Sequence, residues 1–244
     1  SDDTLNSWAE TVTRHHVAGG KPSRTPNLRD FGADAGLSAT LPTSLPPAVA
    51  DAEQAFVKFL GEGHNRGPVS SATIEEIKRA GCHWAVAYPA NRRPRRVDDG
   101  AIMFIARLTD EPDIRIFGRA VGMKYQPGRD DATAADIALR LWKEKGPHYV
   151  RVHHAEFVAG TMANGVSLNE LMDTLGSNSF ASTQRNAAKG EGNIDPRRAY
   201  MQQAAVELSP QGFTWLSEQL QAALDEHGKV PQDTLDQLDW PKLP

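Results

Sequence analysis

Cysteine is nearly absent from this chain, and the single thiol, Cys82, excludes an intrachain disulfide and any multi-cysteine zinc site. Long apolar runs are missing too: none approaches the ~18 residues that mark a membrane-spanning helix. The opening SDDTLNSW is polar and unlike a secretory signal. A cytoplasmic protein with no membrane partner is the expectation. Motifs of common catalytic chemistry are lacking as well, with no GxSxG elbow, phosphate loop, GxGxxG or HExxH. Cys82 and His83 are adjacent, but adjacent strand residues point to opposite faces, so they do not form a dyad. His148, His153, His154 and Glu156 are metal-ligating types without a spacing that fixes a full ligand set, so neither metal nor cofactor is expected.

What is present is 244 residues with 16 Pro and 20 Gly, enough for one large domain with many turns. The net charge of −4 argues against a general nucleic-acid binder, but its distribution matters more than its sum. Residues 83–155 hold 13 Lys/Arg against 9 Asp/Glu, whereas 201–244 hold 2 against 7. The positive charge is therefore central and the C-terminus acidic.

Apolar spacing predicts a helix over 1–18 (Leu5, Trp8, Ala9, Val12), followed by a Pro/Gly-rich arm over 19–47 carrying Lys21, Arg24 and Arg29. A helix is expected over 47–60, with Val49, Ala52, Phe56, Phe59 and Leu60 on one face. A second is expected over 71–80, with Thr73 and Glu76 at capping-box spacing and Gly81 as its stop. HWAVAYP, GAIMFIARL, DIRIFGRAVG and HYVRVHHAEFV then read as strands. In the third, Arg115, Phe117, Arg119 and Val121 share a face expected to be wet and basic, and Gly118 signals a bulge or the close approach of a ligand. In the fourth, Val150, Val152, His154, Glu156 and Val158 are expected on one face, opposite Tyr149, Arg151, His153, Ala155 and Phe157.

A helix is expected over 133–145. Ser167 and Glu170 form a capping box for SLNELMDTL, Asp195-Pro196 starts a helical turn, and Ala204, Val206 and Leu208 alternate as a strand. Ser209-Pro210 opens a last helix with Phe213, Leu216, Leu220 and Leu224 as its buried stripe. Leu235, Leu238 and Trp240 punctuate the acidic tail.

Binding chemistry is better represented than catalysis. Arg92, Arg93, Arg95 and Arg96, held open by Pro94, can grip phosphates or stack on bases. Arg185, Lys189, Arg197 and Arg198 form a second basic cluster. Trp84, Tyr88, Phe117, Tyr125, Trp142 and Tyr149 offer aromatic platforms of the kind an unstacked base needs.

The order of these fragments resembles the PUA-like superfamily, and within it EVE-type domains. The matching residues are His83-Trp84, then Asp99-Gly100-Ala101-Ile102-Met103-Phe104, then Ile116-Phe117-Gly118-Arg119-Ala120-Val121-Gly122. Trp142, Val150-Arg151-Val152 and Val166-Ser167-Leu168-Asn169-Glu170-Leu171 complete the series, over about 83–175. The resemblance implies a PUA-like mixed β-barrel, and with the segments read above the expectation is an α+β fold: that barrel with flanking helices over 83–228, an N-terminal helical extension over 1–82 and an acidic tail over 229–244. It implies a reader of modified nucleic acid, with modified cytosine in DNA as the leading ligand and RNA the other. Trp84, Tyr88, Phe117, Arg119, Tyr125, Ser179 and Phe180 would meet the base. Arg92, Arg93, Arg95, Arg96, Lys124, Arg185, Lys189, Arg197 and Arg198 would hold phosphates. Two other readings stay open. One is an enzyme on a similar barrel that hydrolyses a modified nucleoside or amide, using Thr183, Lys189, Glu191 and Asp195. The other is a protein-interaction module built on the tail around Trp240.

Overall fold

A computed structural model describes residues 45–61, 66–111, 113–135, 146–201 and 203–238. The helix expected over 1–18, most of the arm with Lys21, Arg24 and Arg29, Trp142 with residues 136–145, and Trp240 lie outside the described residues. The chain divides into two compact units, Ser1–Glu53 and Gln54–Pro244. In the first, Pro47 opens a single short helical turn, α1 (Pro47–Ala50).

The second unit is built on a seven-stranded sheet. Its first strand, β1 (Ala55–Leu60), corrects the helix expected over 47–60 and brings part of the expected N-terminal helical extension into the sheet. Phe56, Phe59 and Leu60 recur at helical spacing, but AFVKFL is buried on both faces, which a short apolar run achieves equally well as a central strand. Next come α2 (Thr73–Ala80), β2 (Ala85–Tyr88), β3 (Ile102–Leu108), β4 (Ile114–Gly122) and β5 (His148–Phe157). They are followed by β6 (Val166–Ser167), α3 (Leu168–Leu175), α4 (Ala181–Lys189), α5 (Pro196–Tyr200), β7 (Ala205–Glu207), α6 (Pro210–His227) and α7 (Gln232–Asp236). The sheet runs β2–β5–β4–β3–β1–β7, with β6 paired to β4 and β1 parallel to β3.

Local signals fix most helix ends. Ser167 accepts from the Glu170 N–H, Asp195 from the Arg197 N–H and Ser209 from the Gly212 N–H, as their spacing predicts. Gly81 closes α2 in the left-handed conformation. Thr73, in contrast, is no cap: it lies inside α2, and Glu76 turns inward to Arg79 at 2.7 Å and Arg107 at 3.3 Å.

Cross-strand register assigns the faces. Phe56, Lys58 and Leu60 pair with Met103, Ile105 and Arg107 on one face, and Val57 pairs with Phe104 on the other. Phe104 meets the ring of Phe213 on α6 at 6.1 Å, so that second face lies under α6. The first face curls inward. Four strand spacings separate β2 from β1, about 19 Å in a flat sheet, yet the Lys58 ammonium lies 5.1 Å from the Tyr88 ring centroid. The result is a half-barrel with its two edge strands, β2 and β7, drawn toward each other.

Bulges accompany the curl. Ile105 pairs with Gly118 and Ala106 with Ile116, leaving Phe117 as the extra residue in β4. Gly118 does mark a close approach, but to protein: a Cβ there would lie 2.2 Å from Phe157 Cδ1. A second irregularity sets Arg119 to Val121 against the longer span Glu156 to His153, and His154 there takes φ 49°. The simple alternation expected along β5 therefore breaks at His154. The expected wet face of β4 is also corrected. Phe117 and Val121 are core, and Arg119 is buried because Glu156 and Gln221 accept from its guanidinium at 2.7 and 2.6 Å.

Lys58 is the anomaly of the interior. It is wholly buried with no carboxylate partner among the described residues, and its ammonium donates to the Phe59 carbonyl. Burial pulls its pKa down to about 7, opposed weakly by the nearby Cys82. The unfolded chain therefore binds a proton that the folded chain lacks between about pH 7 and 10.5, and stability falls as pH drops through that window. Lys58→Met is expected to stabilise the protein by about 3 kcal/mol at pH 7. Its advantage over the parent should shrink as pH rises toward 10, measured by urea unfolding of both proteins across that range.

Candidate nucleic-acid interface

The curl leaves a cavity of about 880 Å³ between the end of β2, the 89–97 loop, and the edge formed by β1 and β7. That size lies in the upper part of the range of small-molecule sites, large enough for a nucleotide. Phe56 and Tyr88 are the aromatic residues of its lining, both largely buried. One wall is the arginine loop, the other Gln203, Ala204, Ala205 and Glu207.

The loop is anchored so that its guanidinium groups face outward. Pro94 and Val97 are buried, whereas Arg92, Arg93, Arg95 and Arg96 are exposed. Hydrogen bonds from the Arg92 N–H to Pro89 O and from the Arg95 N–H to Arg93 O turn the chain. Gln54 clips one end through a carboxamide pair: its Nε2 donates to Arg96 O at 3.0 Å, and its Oε1 accepts from the Asp98 N–H at 3.1 Å. At the other end, His148 Nε2 lies 3.2 Å from Ala90 O. Among the described residues none of the four arginines forms an ion pair within the chain.

The opposite wall is a sheet edge. Phe59 N–H donates to Ala204 O and Leu208 N–H to Ala55 O, so residues 204, 206 and 208 bond to β1. Alternation then points the N–H and C=O of Ala205 away from β1. Glu207 pairs with Phe56 and shares its face, which places a carboxylate on the side of the cavity. The site is thus bipolar, with cations on one side and one acid plus a strand edge on the other.

A polar network supports the loop from below. Asp130 is fully buried, with Arg129 at 2.6 Å and Arg151 at 2.7 Å. Against the upward pull of burial, those hydrogen bonds and the Gln126 N–H hold its carboxyl below the usual range. Asp131 accepts from Tyr125 Oη, His148 Nδ1 and the Gly128 N–H. Despite burial, these bonds hold Asp131 at about 2, and burial with the Asp131 contact pushes the Tyr125 phenol to about 12.

Of the expected base contacts, only Tyr88 lines the cavity. Trp84 is half-buried and packs with Ala85 and Tyr149 in a separate cluster. Tyr125 is committed to Asp131. Phe117, Arg119, Ser179 and Phe180 are corrected as base contacts because all four are buried away from the cavity and none lines it. Phe117 stacks on Phe157 at 5.9 Å, Ser179 donates to Gly176 O, and Phe180 bridges Leu208. Among the expected phosphate contacts, the four loop arginines line the cavity and the others do not. Lys124 pairs with Asp98 at 3.4 Å, Arg197 with Asp173 at 2.5 Å and Arg198 with Asp195 at 3.6 Å; Arg185 and Lys189 are exposed on α4. Phe56, Gln203, Ala205 and Glu207 escaped sequence reasoning. The alternation of Ala204, Val206 and Leu208 marked the strand, but no signal placed its edge beside Arg92–Arg96.

For the enzyme reading, Thr183 is buried and its one hydroxyl proton is held between the carbonyls of Ser177 and Phe180, leaving it no reactive exposure. Burial drives the Cys82 thiol up to about 12, which keeps it protonated. Among the described residues no group of three or more His, Cys, Asp or Glu converges to hold a metal, and no helix is long and apolar enough to cross a membrane. No protein-family model matches the chain, and no curated protein matches its sequence.

Replacing Asp130 with Asn leaves Arg129 and Arg151 facing an uncharged amide at a buried point. The expected loss is about 3 kcal/mol, read from the midpoint of chemical unfolding. A change below about 0.5 kcal/mol would mean that the network carries no stability.

Proposed function

We propose that this protein binds nucleic acid and reads a modified base, with the base in the half-barrel cavity and the phosphates on the arginine loop. The observation that carries this reading is the single cavity wall formed by Arg92, Arg93, Arg95 and Arg96, all exposed and without ion pairs among the described residues, beside the aromatic residues Phe56 and Tyr88. Guanidinium groups grip phosphate bidentately, and an aromatic face next to them takes a base removed from its stack.

The far wall supports a base rather than a simple polyanion. A carboxylate such as Glu207 accepts from an amino group, as the N4 amine of cytosine would offer, and the Ala205 edge supplies one more donor and acceptor. A cytosine amine fits Glu207; that the base is modified and carried by DNA rests on the resemblance of residues 83–175 alone. That resemblance is PUA-like and EVE-type, and a curled half-barrel is compatible with such a domain.

The test is fluorescence anisotropy with matched duplexes carrying 5-methylcytosine, 5-hydroxymethylcytosine or plain cytosine, at two salt concentrations. Alanine at Arg92, Arg93, Arg95 and Arg96 together is expected to weaken binding at least tenfold. The salt dependence should flatten by about one unit of slope for each phosphate that an arginine no longer neutralises. Glu207→Gln is expected to erode base discrimination more than total affinity. Equal affinity for modified and plain duplexes, or none for either, would rule out the reader.

A further inference from the structure

His148 opens β5 and is the register partner of Tyr88. Its ring spans two acceptors: Nδ1 lies 2.6 Å from Asp131 Oδ1, and Nε2 lies 3.2 Å from Ala90 O. A neutral imidazole has one N–H and satisfies one of them; only the imidazolium donates to both. Neither partner can reverse its role. Ala90 O is a carbonyl, and Asp131 already accepts from Tyr125 Oη at 2.6 Å and from the Gly128 N–H at 2.8 Å. Those bonds keep the carboxylate ionised well below neutral pH.

We propose that protonated His148 is a positioning residue that clamps the arginine loop at Ala90 to Asp131, making the loop's ligand-ready shape dependent on pH. Ala90 lies just before the cavity-lining arginines, and it lines the cavity itself. Gln54 holds the far end of the loop through uncharged groups that do not titrate. When the Nε2 proton leaves, a ring lone pair faces the Ala90 carbonyl and the near end of the loop is released, while the Asp131 contact persists. Other charged groups bear on the clamp. From the 123–131 segment come Tyr125, whose ring meets the imidazole edge-on at 6.0 Å, and Asp131. From the loop come Arg93 and Arg95, close enough to act on Tyr125, and across the strand pair sits the buried Tyr88 phenol. Because the loop binds anions only when held in place, an anionic ligand and the His148 proton reinforce each other's binding.

The clamp rests on the cavity reading only for its consequence, so it is tested with and without ligand. In the unliganded wild-type protein, side-chain ¹⁵N NMR should show both His148 nitrogens protonated at low pH. The protection of the 90–96 amides, after the intrinsic pH dependence of exchange is removed, should fall as the Nε2 proton signal is lost. The 5-methylcytosine duplex should bind about fivefold more weakly once that signal is lost, the loss of roughly one hydrogen bond. In His148→Gln the protection of these amides, with the intrinsic pH dependence of exchange removed, should no longer change with pH, and the pH dependence of affinity should shrink. A single-tautomer signal throughout, or loop protection that ignores the titration, would overturn the clamp, and neither readout needs the variant to fold. A folded His148→Gln protein that keeps the wild-type pH profile would overturn it as well. If the loop titrates as described but no duplex binds at any pH, the clamp is supported and the nucleic-acid reading fails.

Discussion

The curl of the sheet depends on an absence at Gly118. Any side chain there would collide with Phe157, whose ring instead stacks on Phe117, the extra residue of the β4 bulge. A bulge strengthens local twist, and a glycine lets the neighbouring strand's aromatic close over the backbone. With β4 and β5 bent in this way, the sheet cannot lie flat. β2 and β7, its two edges, come to border one cavity although Tyr88 and Glu207 are more than a hundred residues apart. Edge strands ordinarily invite aggregation; in this fold the same unpaired edge becomes a lining.

Desolvation decides which polar residues act on ligand and which act on the fold. Arg119 and Arg93 are the same residue type in the same central segment, but Arg119 meets Glu156 and Gln221 inside the protein while Arg93 meets solvent. A buried guanidinium held by internal acceptors serves the structure, and its remaining attraction for an external phosphate is small. The same distinction separates Tyr125, closed against Asp131, from Tyr88, whose phenol is buried but whose residue lines the cavity. Within the central segment, the exposed arginines without an ion pair among the described residues therefore cluster on one loop, even though the segment as a whole is only mildly basic.

Features written locally were legible in the sequence. The Ser167–Glu170 cap, the Ser209 cap with its Phe213–Leu216–Leu220–Leu224 stripe, the alternation around Val206 and the outward arginines of 92–96 all follow from residues a few positions apart. Long-range features were not. Phe56, Phe59 and Leu60 satisfy a helical stripe as well as a strand buried on both sides, and only pairing with Ile102–Arg107 decides between them. The expected wet face of β4 failed for a similar reason, since the Arg119 partners lie 37 and 102 residues further along the chain. In the site, Tyr88 and the arginines were readable from composition. Phe56 and Glu207 were not, because an edge strand carries no mark of what lies across a gap.

Lys58 and Tyr88 carry the argument from fold to site. An uncompensated amine inside a protein is costly, and nothing in the sheet's packing requires it at that position, where Met would fill the same space. Yet it lies over the ring of the aromatic residue that faces the cavity. A cation near a π-face is attracted by the ring's quadrupole, so the Tyr88 ring offsets part of the cost of the buried ammonium. With burial holding Lys58 at about 7, both forms are populated near neutrality. Two ionisable groups therefore lie behind lining residues of the cavity: His148 behind Ala90 and Lys58 beside the Tyr88 ring. Their signs differ. A proton on His148 lets the ring donate to Ala90 as well as to Asp131, whereas a proton on Lys58 brings a desolvated charge into the interior of the half-barrel on which the loop is mounted.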